Sequence, residues 1–199
     1  LGERATLEQA VEKTLALAQK TDDDAVRAYA IAAVALYYFE IGDLERAAQC
    51  LLQTLEATQR ARTRQLDLES QYYGHLGFTY AQLGLYTQAR DALETGLRLA
   101  DLMGVSRYQA YHRLHLGFVH WRMGDFDNAV RMEEQALQEY QATGEAFGQA
   151  ACQAYLGFMR EAVGDWYAAE AYLTEASAGF ARIGVDADRV EAQAVAARC

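Results

Sequence analysis

His112-x-x-His115-x-x-x-x-His120 puts three imidazoles within nine residues, the residue type and density from which a metal site could be built. On a helix His112 and His115 share a face. His120, five residues further on, is rotated away, and no Cys or carboxylate stands at ligand spacing beside them. They read as packing histidines, and no metal is expected. Cys50, Cys152 and Cys199 are far apart and form no CxxC pair, so they read as small helix residues in a reducing cytosol. No glycine-rich phosphate loop, GxSxG or HExxH occurs. Neither catalysis nor a cofactor is expected, and the chain reads as non-enzymatic. Glu133-Glu134 and Asp22-Asp23-Asp24 read as solvated charge. The chemistry that remains is recognition through apolar and aromatic contact.

The elements that must position such contacts are helical. The 199 residues contain no Pro and are 52% hydrophobic, which favours helix nearly throughout and supplies a continuous core. No apolar run of about 18 residues exists, so no membrane-spanning helix is expected, and no secretory leader is visible. A cytoplasmic location follows as the expectation. The formal net charge of -10 argues against a phosphate-backbone partner, and neither nucleic acid nor membrane is expected to bind.

Leu76-Gly77-Phe78, Leu116-Gly117-Phe118 and Leu156-Gly157-Phe158 recur at a fixed interval of 40 residues. Gly84, Gly124 and Gly164 keep the same period, as do Gly104, Gly144 and Gly184. A strict period of this length is the signature of a helical repeat array. Each unit reads as two amphipathic helices with apolar residues at i, i+3, i+4 and i+7. Gly-Asp ends the first helix and caps the second. Gly77, Gly117 and Gly157 fall mid-helix, with Ala89, Ala129 and Ala169 as matching small residues for close approach. Glu133 stands where Leu51, Leu93 and Leu173 stand in the other units, which predicts a local rotation of that helix with Met132 facing inward instead.

The expected architecture is all-α: a right-handed α-α superhelical solenoid of antiparallel helix pairs, about ten helices in all. Full repeats are expected at 24–61, 65–103, 106–143 and 146–183, with half repeats at 5–20 and 186–199. The two-residue excess between Gly42 and Gly84 is placed in Ala61–Leu66. One domain over 1–199, part of a larger protein, is the expected organisation, since both ends stop mid-repeat and the chain starts at Leu1. The open half-repeat ends, around Val11 and Leu15 or Val190 and Val195, could pair two copies as a homodimer.

The Leu-Gly, Tyr, Gly-Asp-aromatic and Ala positions resemble the tetratricopeptide repeat, in a lengthened form similar to that of bacterial signal-transduction ATPases and LuxR-type regulators. The usual Pro at the repeat end is missing, and Gly104, Gly144 and Gly184 replace it. The resemblance implies a concave groove lined by the first helices. Its groove positions are Tyr29, Ala32, Leu36 and Phe39; Gln71, Gly74, Phe78 and Ala81; Tyr111, Leu114, Phe118 and Trp121; Ala151, Ala154, Phe158 and Glu161. Arg122 and Arg198 would add positive rims. Leu36, Phe78, Phe118 and Phe158 would form one apolar stripe, either open to a peptide or packed between first helices as core. The family's carboxylate clamp of Lys, Asn and Arg is absent, which disfavours chaperone-tail binding. The implied partner is a protein or peptide, or another domain of the same chain. The competing expectation is a sensor domain, binding a small effector for signal transduction or transcription regulation.

Overall fold

The computed structural model describes residues 2–185, with side chains from residue 7 onward. The half repeat expected at 186–199, with Val190, Val195, Arg198 and Cys199, lies outside the described residues. Among those described, nine helices follow one another without a strand: α1 (Gly2–Lys20), α2 (Asp24–Glu40), α3 (Leu44–Arg60), α4 (Leu66–Gln82), α5 (Tyr86–Met103), α6 (Ser106–Arg122), α7 (Phe126–Thr143), α8 (Ala146–Ala162) and α9 (Trp166–Arg182). The chain divides into two compact units, Leu1–Met103 and Gly104–Cys199. In unit 1, α2 packs on α3 and α4 on α5, with α1 on α2 and α3 on α4. In unit 2, α6 packs on α7 and α8 on α9, with α7 and α6 each touching α8.

The turns within pairs are built by the sequence that repeats there. At the α6–α7 turn, Gly124 sits at φ +81, which L side chains rarely adopt. This lets the Gly124 amide donate to the Trp121 carbonyl at 3.0 Å and the Asp125 amide to the His120 carbonyl at 2.9 Å. Those bonds satisfy carbonyls that the end of α6 leaves open. Asp125 then accepts from the Asn128 amide at 3.4 Å, capping α7. Gly42-Asp43 and Gly164-Asp165 repeat the arrangement.

The second full repeat departs from it, because Leu85 stands where the others have Asp. Leu85 is 39% exposed and supplies only its carbonyl to the Ala89 amide. Leu85→Asp is therefore expected to stabilise the protein by about 1 kcal/mol through a new cap. An unchanged urea midpoint would contradict that.

The two extra residues do lie in the α3–α4 connection, residues 61–65. This longer loop is tied down by Arg64, whose guanidinium donates to both carboxylate oxygens of the buried Glu69 at 2.7–3.1 Å.

The repeating leucine is core: Leu76, Leu116 and Leu156 are 0–3% exposed. Around Leu76, unit 1 gathers Ile31, Val34, Leu51, Leu55 and Tyr72. Unit 2 centres on Ala110, Leu114, Ala136, Tyr140 and Cys152, with Ala150, Phe158, Ala176 and Phe180 beside α9. The mid-helix glycines do serve close approach, but the group they meet is not chiefly the expected alanine. A β-carbon on Gly77 would lie 2.4 Å from Leu93 Cγ, with the Ala89 carbonyl at 3.1 Å; on Gly157 it would lie 2.7 Å from Leu173 Cγ. On Gly117 it would lie 2.5 Å from Glu133 Oε1. The expected rotation of α7 is thus overturned. Glu133 takes the leucine position with 0% exposure, while Met132 is only half-buried. Turning the helix would have moved Ala129 and Ala136, both 0% exposed, out of the core.

Candidate functional site

The residues named for the groove lie in both units and differ sharply in exposure. In unit 1, α2 presents Tyr29 and Leu36 with 52% and 58% of their surface open. They stand seven residues apart, two helical turns on one face. Val26, 54% exposed and three residues before Tyr29, extends that face. Phe39 and Phe78 close its far end as half-buried rings with centroids 5.4 Å apart. The face is an apolar stripe on a helix whose opposite side, Ala28, Ile31, Val34 and Ala35, is buried. Single exposed leucines need no explanation, whereas a contiguous stripe does.

In unit 2 the stripe is closed over. Phe118 and Phe158 are each 9% exposed, and Leu114 is 5% exposed. Of the two expectations for the phenylalanine stripe, an open groove or core packed between first helices, the burial of Phe118 and Phe158 matches the second, and Leu114, named as a groove position, is buried with them. The reason for Phe118 is tertiary: the Tyr155 ring from α8 lies over it at 5.6 Å. Trp121 meets Phe118 edge-on at 6.4 Å, and the Arg122 guanidinium carbon sits 5.9 Å from the Phe118 ring centroid. Trp121 and Arg122 remain half-exposed. The accessible part of this face is therefore Trp121, Arg122 and Tyr155, an aromatic and cationic surface on a buried phenylalanine. Tyr111 packs edge-on against His115 at 4.4 Å, and burial pushes its phenol up from the ordinary value.

Tyr155, Val26 and His115 were missed by the groove positions. The signal for Tyr155 and Val26 was present in their helical spacing, each three residues before a residue that was named.

The three histidines of the apparent metal trio separate. His112 is 1% exposed and His115 stacks with Tyr111. His120 Nδ1 lies 3.1 Å from the Asp125 carboxylate. Asn128's side-chain hydrogen bond, with His120 assisting, holds the Asp125 carboxyl below its usual range. Among the described residues no three His, Cys, Asp or Glu side chains gather as a metal site. No helix of the described residues is long and apolar enough to cross a membrane.

Residues 67–142 match the family model of the tetratricopeptide repeat. That stretch, from α4 to α7, is made of tetratricopeptide repeats. No curated protein sequence matches the chain. Solved structures that are similar to this chain show its fold, a solenoid of helix pairs. BtubC from P. vanneervenii is 20% identical over 92% of this chain and 73% of its own, with a TM-score of 0.72. A Signal Transduction ATPase with Numerous Domains from Pyrococcus horikoshii, carrying a tetratricopeptide repeat sensor, is 20% identical with a TM-score of 0.74. There the match covers 98% of this chain and 29% of that one. The Rap conjugation gene regulator of plasmid pLS20, solved with the Phr* peptide, is 15% identical over 77% of this chain and 42% of its own, with a TM-score of 0.70.

Proposed function

We propose that this tetratricopeptide repeat chain is a non-catalytic interaction module that binds a peptide or a partner protein domain on the faces of its first helices. The observation that carries this reading is the open apolar stripe of α2. Tyr29 and Leu36 expose more than half their surface beside the Phe39–Phe78 pair. An amphipathic peptide helix would bury its own apolar side there, with anchors at i, i+3 or i+4 and i+7. The Rap regulator, similar in fold, was solved with a peptide, which supports the class of ligand.

The experiment is a peptide display selection on the intact chain, followed by affinity measurement on the joint variant Tyr29→Ala, Leu36→Ala. Both side chains are more than half exposed, so the thermal midpoint should hardly move. Affinity for selected peptides should fall by about tenfold or more, roughly 1.4 kcal/mol or beyond. Unchanged affinity in that variant and in Trp121→Ala would sink the reading for both units.

A second reading is a sensor for a small effector within a larger signalling ATPase or transcription activator. What favours it is the compact Phe118, Trp121, Tyr155 and Arg122 cluster, suited to a flat ligand bearing negative charge. The similarity to the repeat sensor of the Pyrococcus horikoshii protein supports the same reading. Trp121 fluorescence quenched by small anionic aromatics, with no peptide selected, would favour it.

A further inference from the structure

Unit 2 holds an acid where neighbouring repeats hold leucine. Glu133 faces Gly117 as Leu93 faces Gly77 and Leu173 faces Gly157. Its side chain is fully buried, and neither carboxylate oxygen has a hydrogen bond of ordinary geometry. The groups around it come from three helices. From α6 it meets Gly117. From α8 come the Cys152 thiol and the Tyr155 phenol, and α7 itself adds the Tyr140 phenol. α6 also carries the buried His112, and Arg113, which pairs with Glu139. The α8 cation Arg160 pairs with Glu134 at 3.9 Å. Among the described residues no basic group stands within ion-pair distance of Glu133.

A carboxylate in such a place is stable only with its proton on, because an ionised one would be buried without a countercharge. The alternatives open to the chain at higher pH are to keep the proton or to open α7 away from α8 and let water in. We propose that Glu133 is a pH-sensitive switch: protonated, it holds α7 closed against α8, and on losing its proton it loosens that contact. Burial does raise the Glu133 carboxyl well above its ordinary value, the direction the switch requires. The switch also reaches the candidate binding surface. Tyr155 interacts with Glu133 and lies over Phe118 at 5.6 Å, so loosening α8 uncovers the ring that floors this face. That consequence rests on the function proposed above; the switch itself does not.

The test reads the Cys152 thiol, which is fully buried beside Glu133. The intact chain and Glu133→Gln are treated with iodoacetamide from about pH 5.5 to about pH 9, and alkylation of Cys152 is followed by peptide mass spectrometry. Comparing the two proteins at each pH cancels the ordinary rise in thiolate. The ratio of wild-type to variant rate should climb with pH across this range, by about tenfold or more, because the opened state gives up the Glu133 proton that the closed state keeps. A ratio that stays flat overturns the switch. Should Glu133→Gln fail to fold, Glu133→Leu restores the residue of the neighbouring repeats and serves in its place. The test needs no partner, so its failure leaves the binding reading standing, and failure of the peptide selection leaves the switch standing.

Discussion

Leu93→Ala is expected to destabilise unit 1 by about 3 kcal/mol, and Gly77→Ala is expected to recover part of that loss. Leu93 has 0% exposure and is the side chain that Gly77 admits. Removing its branched end forfeits burial and leaves a cavity. In the wild-type background Gly77→Ala should cost about 1–2 kcal/mol. The added methyl would lie 2.4 Å from Leu93 Cγ, a branch point rather than a flexible tip, and that overpacking outweighs the helix-propensity gain of up to about 1 kcal/mol. In the Leu93→Ala background the methyl enters vacated space and the propensity gain survives. The double variant should therefore be more stable than the sum of the single changes by about 2 kcal/mol. The measurement is a double-mutant cycle by urea denaturation. Additivity within about 0.5 kcal/mol would show that α4 and α5 do not meet in the way described.

That cycle probes a part of the fold that could be read from the chain before any coordinates. The Leu-Gly pair, its period and the Gly-Asp turns specify paired helices because each is a local requirement. An unencumbered left-handed residue ends one helix, an oxygen caps the next, and a missing β-carbon allows contact. The connection at 61–65 was legible as a counting excess. Exposure on the first helices was less so. Phe78 and Phe118 hold the same place in their repeats, yet the first is half-buried and the second 9% exposed. The ring over Phe118 belongs to Tyr155, 37 residues away on another helix, and helical periodicity within α6 carries no information about it. Glu133 was misread for a related reason. A carboxylate at a leucine position is a conflict between patterning and polarity. Rotating the helix resolves it on paper, but the alanines 129 and 136 on the same face outweigh one acid.

Glu133→Leu should stabilise unit 2, and by an amount that grows with pH. The folded state holds the Glu133 proton more tightly than the unfolded chain, whose carboxyl titrates near 4.3. Below that value both states are protonated and the group's contribution is at its full extent. As pH rises above it, the unfolded chain gives up its proton while the folded protein keeps it. Wild-type stability then falls by about 1.4 kcal/mol per pH unit until the folded carboxyl itself ionises. Leucine has no proton to lose, so this component is absent from the variant. At about pH 4 the gain should be small, about 1 kcal/mol, the difference between a buried neutral carboxyl and an aliphatic group. By about pH 7 it should reach roughly 3–5 kcal/mol, on the order of the cost of an uncompensated buried charge. Trp121 and Trp166 are the two tryptophans and both belong to unit 2, so their fluorescence in a urea titration follows this unit alone. Cys152, which faces the carboxyl from α8, should lose a polar neighbour and keep its place in the core, since Leu93 and Leu173 already show that the fold accepts leucine opposite a mid-helix glycine. A stabilisation independent of pH would mean that Glu133 is ionised in the folded protein throughout and that some countercharge reaches it. A destabilisation at about pH 7 would mean that the carboxyl makes contacts worth more than the burial it forgoes.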